Sequence, residues 1–196
     1  MKMKFMFSII LLCIYSYGTE QGISKDNTLK NYFSKTEIRE FTNLVNYFDQ
    51  TIKSNYPNDT NSLAESYNLF FKDLNTNKVD IYERVLFKFD QKKILKYLKK
   101  DSFDKIWRVG NAVNYDDYQI TEIAVRHDGC YMSFLKQYPL LTDYRESIEI
   151  AGDISPESFM LFFELQTKLN LNNLEDRLII TVHYLSLSNP PIKRNE

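Results

Sequence analysis

Asn173-Leu174-Glu175-Asp176-Arg177-Leu178-Ile179-Ile180-Thr181-Val182-His183-Tyr184-Leu185 is the stretch on which the reading of the fold turns. On propensity alone, Leu178 to Val182 reads as a strand, because β-branched side chains crowd a helix and suit a pleated surface. Two other signals favour a helix. Asn173, followed by Glu175 and Asp176, is a cap with acids in the first turn, where the unpaired amides concentrate positive charge. Leu174, Leu178, Val182 and Leu185 then recur at threes and fours. The stretch is read as a helix, and the chain with it as mainly α.

Working outward, the same punctuation recurs. Ser34-Lys35-Thr36-Glu37 has the spacing of a capping box, and Ile38, Phe41, Leu44, Val45, Phe48 and Ile52 follow on one helical face until Tyr56-Pro57. Ser62 opens a second helix with Leu63, Tyr67, Phe70 and Phe71 inward; Asp80 to Glu83 opens a third, and Ile94, Leu95 and Leu98 mark a fourth. Ser102 is read as the cap of a fifth helix presenting Phe103, Ile106 and Trp107 at i, i+3 and i+4, stopped by Gly110. Residues 111–125 show no helical period, and Tyr118, Ile120 and Val125 suit a short strand. Asp128 is read as the cap of a helix carrying Tyr131, Phe134, Leu135 and Tyr138; another runs through Tyr144 and Ile148 to Gly152. Ser155-Pro156, a capping hydroxyl before a proline at the first helical position, starts one more. The expectation is a single mainly α domain of about eight short helices over residues 34–189, with room for one short strand segment and a tail from 190 to 196.

The amino terminus reads as an address. Lys2 and Lys4 precede an apolar run from Phe5 to Ile14, and Ser16-Tyr17-Gly18 places small residues where a signal peptidase cuts. The run is shorter than the roughly 20 apolar residues that span a bilayer. Residues 1–18 are therefore expected to be a signal peptide and 19–33 a flexible polar leader. Cys13 follows Ile10-Leu11-Leu12, a degraded version of the motif that leads to lipidation; such a lipid is the one membrane attachment the sequence offers. The destination is the periplasm, the cell envelope or the exterior.

The formal net charge is −1, and loss of Lys2 and Lys4 takes it to about −3. Nucleic-acid binders show strongly basic faces, so a nucleic-acid partner is not expected. Fourteen Phe and fourteen Tyr supply a core, while five Gly and five Pro argue against a turn-rich β-sandwich. Cleavage after Gly18 leaves Cys130 as the one cysteine, so packing alone has to hold the exported domain.

Four segments of the second half stand out together: Phe103 to Trp107, Gly129-Cys130-Tyr131-Met132-Ser133-Phe134-Leu135, Ala151-Gly152-Asp153-Ile154-Ser155-Pro156, and Arg177 to Ile180 through His183-Tyr184-Leu185-Ser186-Leu187. On these residues the chain resembles a family of uncharacterised exported proteins and lipoproteins of Bacteroidetes-type bacteria. The resemblance implies export and a helical fold and carries no activity.

Few residues invite chemistry. Cys130 near a helix start gains thiolate stabilisation from the free amides, and His183 later in the chain is a candidate base, as in cysteine hydrolases. The plainer reading is a small buried hydrophobe and an ordinary histidine. Asp116 and Asp117, between Tyr115 and Tyr118, are candidate ligand-binding residues in an irregular segment; a solvated acidic turn is the plainer reading. His127, Asp128 and Cys130 lack partners for a zinc site, and no metal or cofactor is expected. Asp73 to Asn77 begins like a calcium loop but lacks the later glycine and glutamate, so it is read as a connecting turn. Lys92, Lys93, Lys96, Lys99 and Lys100 read as a solvated helix face, and Trp107 as a core anchor. These features favour a non-enzymatic envelope protein with a protein partner, such as an inhibitor, immunity factor or accessory subunit. The alternative is a small cysteine hydrolase using Cys130 and His183.

Overall fold

A computed structural model of the chain describes residues 28–76, 96–115, 118–187 and 192–193, of which 110–122 and 192–193 are described in their backbone alone. The signal segment, residues 77–95 with the expected third helix and most of the fourth, and Asp116-Asp117 lie outside the described residues; of the fourth, Leu98 and the extended Lys99 stand after the last helical residues, 96–97. The described chain is mainly helical, with α1 (Lys35–Asn55), α2 (Leu63–Thr76), α3 (Lys100–Phe103), α4 (Cys130–Leu135), α5 (Thr142–Ala151), α6 (Pro156–Leu165) and α7 (Leu174–Leu187). One antiparallel sheet has the order β1-β2-β3, from β1 (Trp107–Tyr115), β2 (Tyr118–Val125) and the two-residue β3 (Ile192–Lys193).

The ambiguous stretch is a helix, α7, and it forms the centre of the molecule. Residues Leu178 to Ser186 are all buried. A helix that is apolar all round has to be enclosed on all sides. α1 packs along it through the Phe48 ring, stacked on Tyr184 at 6.3 Å, and Phe70 of α2 meets Tyr184 edge-on at 4.9 Å. Each such fully buried aromatic contributes roughly 2–3 kcal/mol by leaving water.

The start of α7 is polar, and its two acids, Glu175 and Asp176, are buried. The Asn173 carboxamide oxygen accepts from the Glu175 amide at 2.9 Å. The Glu175 carboxylate accepts from the Leu29 amide at 3.1 Å and from the Tyr138 hydroxyl at 3.2 Å. Burial pushes that carboxyl above its ordinary range. Its bond to Leu29 anchors a segment that the sequence assigns to the leader. Leu29 and Phe33 are buried, and the Phe33 ring stands edge-on to Phe41 at 5.0 Å. Residues 28–33 thus belong to the packed domain.

The capping box of α1 forms as read: Glu37 N–H donates to Ser34 Oγ at 3.3 Å, and Ser34 N–H donates to a Glu37 carboxylate oxygen at 2.6 Å. Ser155 caps α6 likewise, with Ser158 as the reciprocal partner. Gly152 ends α5 at φ 77°, a left-handed conformation that glycine adopts without the Cβ penalty.

Several expectations are corrected. The fifth helix is one turn, and Ser102 lies inside it. Trp107 opens β1, and Gly110 lies within that strand. The irregular stretch is a β-ribbon pairing Trp107 with Val125 and Tyr115 with Tyr118, with a register shift between Val109 and Ala112. Trp107 is nonetheless fully buried, and its indole N–H donates to Ser186 Oγ of α7 at 2.8 Å. Gly129 caps α4 in place of Asp128, and that helix ends at Leu135, before Tyr138. Asp73 to Thr76 is the last turn of α2, not a connection.

Candidate functional site

Cys130 opens α4, a six-residue helix laid against the turn that follows α3. The turn is held by backbone bonds: Arg126 N–H donates to Ile106 O at 2.8 Å and Tyr131 N–H to Lys105 O at 3.2 Å. Gly129 sits so close to this turn that an added Cβ would lie 2.8 Å from the Lys105 carbonyl oxygen. Glycine is required there by the approach of the two backbones.

Beside this contact lies an open groove of about 590 Å³, lined by Glu37, Asp101, Asp104, Lys105, Arg126, Asp128 and Cys130. Cys130 is partly exposed in it and partly packed against the core, so it is not the fully buried small hydrophobe of the plainer reading. Three of the groove's charged residues, Arg126, Asp128 and Glu37, already have partners. Arg126 Nε donates to Asp128 Oδ1 at 2.9 Å, and this bond holds the Asp128 carboxyl below its ordinary range. Arg126 also donates to the Asp104 carbonyl at 3.3 Å, and Glu37 closes the capping box of α1. His127, next in chain to these groups, is exposed.

His183 occupies a different environment. Its ring lies stacked on Phe162 with centroids 4.0 Å apart and faces Phe159 at 5.8 Å. Nδ1 shares a hydrogen bond of 3.1 Å with the Tyr144 hydroxyl, which is itself buried. Nε2 is buried and has no hydrogen-bond partner among the described residues. Burial lowers the imidazole pKa to about 3, because a cation there would lose its hydration without a compensating anion. Neither ring nitrogen is bonded to the Cys130 thiol. The structure therefore does not assemble Cys130 and His183 into a nucleophile and base, and Asp116 and Asp117 fall outside the described residues.

A second concavity was not read from the sequence. It lies between α5 and α6, has a volume of about 460 Å³, and is lined by Asp143, Glu146, Ser147, Ile150, Ala151, Ser155, Glu157 and Leu161. Ile150 is 88% exposed, the most open of the large apolar residues described. The signal was available: Ile148 and Ile150 are two apart, which on a helix places them roughly 200° apart, on opposite faces. With Ile148 inward, Ile150 has to face out.

Among the described residues no group of three or more His, Cys, Asp or Glu is placed to hold a metal ion, and no helix is long and apolar enough to cross a membrane. No family model matches the chain, and neither a curated protein nor a solved structure is significantly similar to it.

Proposed function

We propose that the chain is an exported, non-enzymatic protein of the cell envelope that acts by binding another protein, in the manner of an inhibitor, an immunity factor or an accessory subunit. The observation that carries this reading is the enclosure of His183. An imidazole with a pKa of about 3 draws a proton from a thiol poorly at neutral pH, and Phe162 covers its face. A hydrolase built on Cys130 would need its base elsewhere. Export rests on the N-terminal sequence, with its basic start, apolar run and small residues at 16–18.

The test is affinity capture from the native envelope after mild cross-linking, with identification of what is retained. One defined protein in near-equal amount with the bait is expected, and amino-terminal sequencing of the bait should begin at or near Thr19. Hydrolysis of an ester or amide probe that vanishes in Cys130→Ser, with no protein retained, would overturn the reading in favour of the hydrolase.

A further inference from the structure

We propose that the groove between α5 and α6 is the docking surface, and that its occupant is a partner-protein segment bearing both apolar and lysine or arginine side chains. The inference rests on the partner-binding reading and names the surface that does the binding. Apolar contact comes from Ile150, 88% exposed on α5, and from half-buried Leu161 on α6, both lining the groove. A single exposed aliphatic is ordinary; one that shares a concavity with a second is a seat for an apolar side chain.

Charge selects the occupant. Residues 142–165 hold six acids and one arginine, a net charge of −5 in a chain whose total is −1. That arginine, Arg145, is paired with Glu146 and Glu149 at 3.1 and 2.9 Å, so it offsets part of the Glu146 charge, and Asp143 and Glu157 carry most of the groove's negative field. Asp143, Glu146 and Glu157 border the apolar seat, and no lysine or arginine lines it among the described residues. Such a field attracts a basic segment and repels an anionic membrane surface. It also opposes the pairing of two copies groove to groove, since acid would then face acid. An amphipathic helix laid in the groove satisfies both features: leucine-like anchors on Ile150 and Leu161, and lysines on the rim.

The probe is a 14-residue leucine–lysine peptide of helical period, with a leucine–glutamate peptide as its counterpart, titrated into the full-length chain while backbone amide resonances are followed. The expected result is shifts confined to residues 143–161 for the basic peptide and none for the acidic one. The dissociation constant should rise at least tenfold in the Glu146→Lys, Glu157→Lys double variant and about fivefold in Ile150→Ser. Shifts centred elsewhere, equal affinity in the variants, or a dimer in sedimentation that Ile150→Ser dissolves would each overturn the proposal, the last by giving the groove to a second copy. If an envelope partner retained by the native chain is retained equally by both variants, the groove fails and the functional reading stands. If no partner is retained while the peptide still seats as described, the functional reading fails and the groove stands.

Discussion

α7 and α5 both carry closely spaced isoleucines, and the fold treats them in opposite ways. Ile179 and Ile180 are adjacent, hence on different sides of α7, and both are fully buried; Ile148 and Ile150 sit on different sides of α5, and one is fully buried while the other is 88% exposed. The difference is what surrounds each helix. α7 is enclosed by α1, α2, α6 and the β-ribbon, so every face it presents meets protein. α5 has one inner face, and its outer face meets water. Large stability effects are therefore expected on every face of the core helix and on the inner face of α5, and small ones on the outer face of α5, where the proposed docking predicts effects on binding instead.

The largest effect is expected at Trp107, which joins the ribbon to α7. Trp107→Ala empties a fully enclosed indole site and removes the bond to Ser186, for a loss of about 3–5 kcal/mol. Urea unfolding followed by circular dichroism measures it. An unchanged midpoint would mean that the ribbon is not part of the cooperative core.

Next is the polar contact under α1. Asp49 accepts from the Tyr67 hydroxyl at 2.7 Å and pairs with Arg177 of α7. Burial pushes the Asp49 carboxyl up despite both partners, so each bond offsets an existing desolvation cost. Tyr67→Phe removes a hydrogen bond to a charged group and should lower stability by about 1.5–3 kcal/mol. A loss under about 0.5 kcal/mol would show that Arg177 alone satisfies Asp49.

These two sites also show what was legible in the sequence. The caps were decisive: Ser34, Ser155 and Asn173 each satisfy amides locally, so the starts of α1, α6 and α7 could be read without knowing the tertiary structure, and at α7 the cap outweighed the β-branched run. Trp107 is the core anchor its apolar neighbours imply, but it opens a strand where its spacing implies a helix. Phe103, Ile106 and Trp107 share a side because one helical turn, a bend and a strand start bring them together, a coincidence that mimics helical spacing. The interior site was not legible at all. Whether His183 meets Cys130 or Phe162 depends on how α6 lies on α7, which spacing along the chain does not encode. The α5–α6 groove was half legible, through the offset between Ile148 and Ile150.

A third expectation concerns pH and isolates His183. Its folded pKa, about 3, lies below the ordinary value of 6.5, so on acidification the unfolded chain takes up a proton that the folded chain refuses. Stability is fully present above about pH 6.5 and falls by about 1.4 kcal/mol per pH unit below it, until the folded ring itself titrates near pH 3. The raised carboxyls of Asp49 and Glu175 work the other way, adding stability as pH drops through their folded values. His183→Phe keeps the stack on Phe162 and removes the titrating ring, so the difference between the two chains at pH 7.0, 6.0 and 5.0 reports the histidine alone. Parallel stability curves would show that the ring is hydrated in solution.

The smallest expected change in stability is also the sharpest form of the comparison. Ile150→Ala removes three carbon atoms that stand almost entirely in water, and alanine is the better helix former, so the folded state should shift by no more than about 0.5 kcal/mol. Ile148→Ala makes the same chemical change two residues earlier, in a fully enclosed site, and should cost about 2–5 kcal/mol. Paired denaturation curves give both numbers under one set of conditions. Equal losses would mean that the outer face of α5 is covered in solution, by another copy or by a part of the chain outside the described residues. A loss at Ile148 with near silence at Ile150 would show that the Ile150 side chain adds nothing to the stability of its own fold and stays open on the surface of α5 in solution.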